Sequence, residues 1–217
     1  MHKRLVLSLV LALPALSLAG AGFFHPQGLS YDTSYQWSAL HFPGLLAFPL
    51  VGASLAWLVR GRNDLLAWVI RLTALTYAAF YSALDVINGI AAGYVTNRLG
   101  PGAPRPDEVG YLFDIGRPLG DIGEWGLIAC CVAVAVDQIN RHQAWGVPAV
   151  ALVLGAWFVR GDHIFSPIGV LGMAIIGGVS GYLAWNDPRI FAERRITAES
   201  EAELVSDRPH ARRVTKQ

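Results

Sequence analysis

The sequence predicts an all-α fold, a polytopic transmembrane helical bundle of six helices, and three observations carry that expectation. Hydrophobic residues make up 53% of the chain and charged residues only 15%, too few to cover a soluble surface of this size. Long apolar runs alternate with short polar breaks from end to end. The runs approach the ~20 residues that a helix needs to cross a hydrocarbon core about 30 Å thick. A net charge of +1 offers no basic field, so the expected surroundings are a lipid bilayer and no nucleic acid.

The first run, residues 5–22, follows the basic start His2-Lys3-Arg4. Its small-residue end, Ala19-Gly20-Ala21-Gly22, also fits a signal peptide, so residues 1–22 are a first transmembrane helix or a cleaved leader. Removal would leave five helices; a retained helix is the favoured reading. The second run, 39–59, stops at Arg60, Arg62 and Asp64. The third, 65–94, is long, and the fourth covers 119–136. The fifth, 144–159, is short for a full crossing, and the sixth covers 164–185. Residues 23–186 thus read as one transmembrane domain with outer loops at 23–38 and 95–118, the second rich in Gly and Pro. Residues 187–217 read as a polar cytoplasmic tail.

Lys and Arg set the orientation. Lys3, Arg4, Arg60, Arg62, Arg141, Arg189, Arg194 and Arg195 fall on one side, against Arg98, Arg105, Arg117 and Arg160 on the other. The positive-inside bias places the first set, and the C-terminus, in the cytoplasm. The expected location is the cell membrane, plasma or inner, with multiple passes.

Ionisable groups at membrane depth are costly and mark function by default. Asp85 lies fourteen residues beyond Arg71, and Glu124 thirteen before Asp137. At 1.5 Å per residue Asp85 sits roughly 21 Å beyond Arg71, which is itself one to two turns in from the cytoplasmic end, and Glu124 roughly 20 Å from Asp137, so the two reach similar depths on consecutive antiparallel helices. Asn88 and Asp121 stand three residues outward on the same faces, and Tyr77 and Tyr81 continue the Asp85 face inward. His41 opens the second helix, and Asp162 and His163 open the sixth, so imidazoles are expected over the carboxylates. His25, Tyr35 and Trp37 would cover them from the first outer loop.

Carboxylates with imidazoles suit a divalent metal of the zinc, manganese or iron type, which also offsets buried negative charge. The expected metal ligands are His41, Asp85, Asp121, Glu124 and His163, with Asp85 and Glu124 as catalytic carboxylates. Without a metal the two acids would share a proton, which suits proton-coupled work. Plainer roles stand beside these: Asp121 and Asp162 as helix-cap residues, and Asp85 and Glu124 as interhelical hydrogen-bonding groups.

Other motifs narrow the field. HExxH, GxSxG, phosphate-loop and dinucleotide patterns do not occur. Cys130 and Cys131 are adjacent in an apolar run, where neighbours on a helix point apart, so a mutual disulfide is not expected. Gly89 with Gly93, Gly177 with Gly181, and the run Gly116, Gly120, Gly123, Gly126 offer bare faces for close helix approach. The hexamers Ala56-Trp57-Leu58-Val59-Arg60-Gly61 and Ala156-Trp157-Phe158-Val159-Arg160-Gly161 echo each other, which an inverted duplication would explain. Three function classes stay open: a metal-dependent, hydrolase-like membrane enzyme; a small proton- or cation-coupled transporter; and a non-catalytic subunit of a membrane complex. A membrane-protein partner or a homo-oligomer accompanies the last.

Overall fold

The computed structural model describes residues 2–104 and 106–189, and helices dominate these residues with no strand among them. Residues 1–185 form one compact unit and 186–217 a second. The second is described only through Arg189, whose guanidinium meets the Asp187 carboxylate at 2.7 Å. Arg105, in the second expected outer loop, lies outside the described residues, and so does the remainder of the expected tail with Arg194 and Arg195.

We label the helices α1 (His2–Gly22), α2 (Tyr31–Trp57), α3 (Leu65–Arg98), α4 (Asp107–His142), α5 (Val150–Asp162) and α6 (Ile168–Trp185). Five helical stretches are long and apolar enough to cross a membrane: α1, α2, α3, the 56-residue stretch Asp107–Asp162, and α6. The expected span at 144–159 is not an independent membrane-length helix. It consists of a 3-10 turn, Gln143–Ala149, and the 13-residue α5. At that turn Gln143 takes a positive φ of 46°, and the chain reverses. Gly146 lies so close to the Gln138 backbone that a side chain there has no room. Arg160 reaches Asp121 and Glu124, so α5 runs back antiparallel along α4.

Two helices begin earlier than composition suggested. α2 starts at Tyr31 rather than 39, because the Ser30 N–H donates to Thr33 Oγ1 at 2.9 Å and closes the first turn. α4 starts at Asp107 rather than 119. Pro106 precedes it and Asp107 and Glu108 fill its first turn, where negative charge meets the positive end of the helix dipole. Pro118, read as a loop residue, sits inside α4. The expected loops at 23–38 and 95–118 therefore shrink to the segments between α1 and α2 and between α3 and α4. α6 starts at Ile168, after Pro167, and Asp162 ends α5 instead of capping α6.

In lipid, helices associate through close packing, because the surroundings are as apolar as the side chains. Bare glycine faces supply it. A Cβ at Gly177 or Gly181 on α6 would press on Leu16, Ala12 or Ser8 of α1, and one at Gly123 or Gly126 of α4 on Tyr81 or Tyr77 of α3. Phe48, Leu55, Ile70, Leu127 and Met173 fill the interior, while Leu13, Leu46, Leu72, Leu75 and Leu154 point outward.

The cationic end is tied by ion pairs. Arg62 pairs with Asp137, which is buried at the end of α4, and with Asp64 at 2.7 Å. Those partners raise the Arg62 pKa, the Asp137 hydrogen bond most, while the Arg62 hydrogen bond holds the exposed Asp64 carboxyl below its usual value. Asp64 Oδ1 also caps α3 by accepting from the Ala67 N–H at 3.1 Å. Arg71 turns back to this end and donates to the Val59 carbonyl at 3.1 Å. The hexamer echo has no structural counterpart: Arg60 stacks 3.2 Å over Trp57 beyond the end of α2, whereas Arg160 stays helical and reaches α4.

Candidate metal centre

The site starts from a local departure in α3. Between Asp85 and Ala91 the helix winds as a π-helix, a form that recurs at functional sites, and Asp85, Asn88 and Gly89 are its buried residues. Trp37 of α2 donates from Nε1 to the Asn88 carbonyl at 2.9 Å and locks α2 to this segment. The Trp37 ring then stacks on His41 with centroids 5.6 Å apart.

Three imidazoles meet beside the π segment. His25 comes from the loop before α2, His41 from α2 and His163 from the turn between α5 and α6. One ligand atom from each lies within 4.8 Å of the others. Their tautomers follow from their partners. His41 Nδ1–H donates to the Trp37 carbonyl at 2.6 Å, and His25 Nδ1–H to the Pro26 carbonyl at 2.8 Å. A carbonyl only accepts, so both rings carry the proton on Nδ1 and a lone pair on Nε2. His163 Nδ1 is hydrogen-bonded to the Tyr81 hydroxyl, which leaves its Nε2 as the free ligand position. His25 Nε2 is buried without a hydrogen-bond partner among the described residues. Metal-ligating histidines are oriented in this way, through the nitrogen that does not bind. In a tetrahedral zinc site, with Zn–N about 2.0–2.1 Å, the nitrogens stand about 3.3 Å apart, closer than the 4.8 Å that bounds this group.

Asp85 stands beside this trio, next to His41, and is not one of the three grouped ligands. It is 1% exposed, and its Oδ1 lies 3.7 Å from His41 Nε2. Neither carboxylate oxygen has a hydrogen-bond partner among the described residues. A buried acid in that state is expensive unless a cation lies beside it. Burial lowers the pKa of His25 against an opposing backbone hydrogen bond, and lowers that of His163 with help from the neighbouring rings. Both are therefore neutral near pH 7, the form that ligates metals.

The α4 carboxylates lie elsewhere. Arg160 Nη1 donates to Asp121 Oδ1 and to Glu124 Oε2, each at 2.8 Å. Asp121 is 60% exposed and Glu124 13%. Both line a cavity of about 500 Å³ that also reaches Asp85, His41 and His163. Of the five residues expected as ligands, the structure thus gathers His41, Asp85 and His163 and holds Asp121 and Glu124 on an arginine. The fold-back of α5 is the reason: it turns Arg160, read as a loop cation, onto the α4 face. Asp162 is not part of the cluster, Tyr35 is exposed, and Trp37 supports rather than covers. His25 joins the imidazoles although nothing in its spacing indicated it; its one sequence signal is its place in the short segment that must return the chain into the bundle. Cys130 and Cys131 are free, buried and outside the cluster, with Cys130 Sγ 3.6 Å from the Ile70 carbonyl.

Searches against protein-family models, curated proteins and solved structures find no match for this chain.

Proposed function

We propose that this chain is a multi-pass membrane enzyme that binds one divalent metal ion of the zinc type through Nε2 of His25, His41 and His163, with Asp85 beside it, and catalyses a hydrolysis. The meeting of three imidazoles, one nitrogen of each within 4.8 Å of the others, next to a buried carboxylate without a hydrogen-bond partner among the described residues carries this reading. The residue types match a three-histidine catalytic site that keeps one position open. When bound, the ion supplies a Lewis acid and a water that ionises near neutral pH.

The chain's own residues do the rest. Asp85 accepts the proton of the attacking water and returns it to the leaving group, the ordinary task of a general base and acid. The water oxygen joins the substrate's electrophilic carbon, the bond to the leaving group breaks, and the returned proton neutralises that group. Tyr81 holds the His163 ring in register, and Trp37 that of His41. Arg160 keeps the α4 carboxylates from drawing the ion away from the imidazoles. The Arg62–Asp137 end faces the cytoplasm of a cell membrane on the bias of Lys and Arg, so the His25 end faces outward.

Elemental analysis of protein purified in detergent, after incubation with zinc and desalting, tests the proposal. Wild type holds close to one zinc per chain, and His41→Ala loses it while keeping its helical circular dichroism. A zinc-free wild type, or a fully loaded His41→Ala, overturns it.

A further inference from the structure

A second cavity reaches the same centre from the side. α1 and α2 leave an apolar cleft of about 440 Å³ between them, walled by Leu13, Leu18, Leu40, Leu46 and Leu50. Its deep end is formed by His25, His41 and Asp85. Leu13, Leu46 and Leu50 are among the side chains exposed on the outside of these membrane-length helices, so the mouth of the cleft lies on the bundle's flank. The cavity beside α4 and α5 is more polar, with Gln27, Arg117, Asp121, Glu124 and Arg160 in its wall beside Leu84 and Phe113. His41 and Asp85 belong to both. A molecule spanning His41 and Asp85 therefore has hydrocarbon on one side and polar groups on the other. Each cavity falls within the roughly 300–1,000 Å³ of small-molecule sites.

We infer that the substrate of this centre is a bilayer lipid, bound with one hydrocarbon chain in the α1–α2 cleft and its polar headgroup in the cavity beside α4 and α5. The inference rests on the metal-enzyme reading for the word substrate, and on the two cavities alone for the lipid. The cleft opens where acyl chains surround the bundle, and no water-soluble molecule of uniform polarity matches both walls. The bond to be hydrolysed lies at the junction of chain and headgroup, where His41 and Asp85 stand.

Photolabelling separates the two parts. The zinc-loaded chain is placed in phosphatidylcholine nanodiscs with a trace of phosphatidylcholine bearing a diazirine in one acyl chain, irradiated and mapped by peptide mass spectrometry. Label concentrates on residues 13–21 and 40–50. It is lost from them in Ala47→Trp, and in Ala21→Phe on the opposite wall, with zinc content unchanged. Label spread over all outward residues, such as Leu72, Leu75 and Val132, or undiminished in both variants, overturns the lipid cleft and leaves the metal centre standing. Focused label on a chain that binds no zinc overturns the substrate role and leaves a lipid-binding cleft.

Discussion

His41 on α2 and Asp85 on α3 face each other with Nε2 3.7 Å from Oδ1, and bare backbone on both helices makes the approach possible. A Cβ at Gly44 would lie 2.7 Å from Asp85 Oδ2, and one at Gly89 would enter the His41 ring. Gly89→Ala is therefore expected to destabilise the chain by about 1–3 kcal/mol, the ordinary cost of overpacking, and to weaken metal binding by displacing His41. Gly178→Ala on α6, where nothing lies within 4 Å, is the control and should be neutral or slightly stabilising. Thermal unfolding in detergent, with metal content measured on the same samples, compares the two. Equal stability and equal metal in both variants would contradict the contact.

Tyr81 is fully buried and meets His163 both through its hydroxyl and through ring stacking, with centroids 5.3 Å apart. Tyr81→Phe keeps the packing and removes that hydrogen bond. Metal affinity should fall about 10- to 100-fold, the usual effect of losing the group that orients a ligand, with little change in unfolding temperature. Competition against a chromogenic chelator reads the affinity.

Arg160 engages two acids of unequal burial. Arg160→Ala leaves Glu124, 13% exposed, without its hydrogen bond, and should cost roughly 1–3 kcal/mol, between the values for exposed and for buried pairs. Asp121→Ala, at a residue 60% exposed, should cost under about 1 kcal/mol. Neither Asp121→Ala nor Glu124→Gln should change the metal content. Loss of metal in either would return the α4 carboxylates to the ligand set.

The bundle was legible in the sequence to the degree that composition dictates it: the apolar stretches, their order, and the cationic end around Arg60 and Arg62. The helix starts were less so. Local chemistry at Ser30–Thr33 and Pro106–Asp107 extends α2 and α4 beyond their apolar cores, where hydropathy alone gives no signal. His41, Asp85 and His163, which the structure brings close together, stand out in the sequence because ionisable side chains are rare in such helices. Asp121 and Glu124 met the same criterion, yet their partner depends on a chain reversal at Gln143 that a single positive φ brings about. The π winding at Asp85 and the return of His25 into the bundle arise from tertiary packing, and no periodicity announces them.

The pH response follows from His25 and His163, whose pKa values are lowered in the fold. Below the usual histidine value of about 6.5 the unfolded chain takes up protons that the native rings refuse, so acid favours unfolding. Stability of the metal-free chain should be full above that pH and fall as pH drops from about 6.5 toward the lower native values. Metal affinity falls over the same range, because protons compete for the same lone pairs. His163→Asn should flatten the unfolding temperature between pH 7 and 5. A wild-type unfolding temperature that rises on acidification would contradict the burial of neutral imidazoles.

The central claim is the identity of the ligands, and zinc-edge X-ray absorption of the loaded protein reads it directly. The account predicts three imidazole nitrogens at about 2.0–2.1 Å with oxygen completing the shell, and loss of an imidazole in His25→Ala. A sulfur shell at about 2.3 Å, as Cys130 and Cys131 would give, or a shell of oxygen alone, would contradict it.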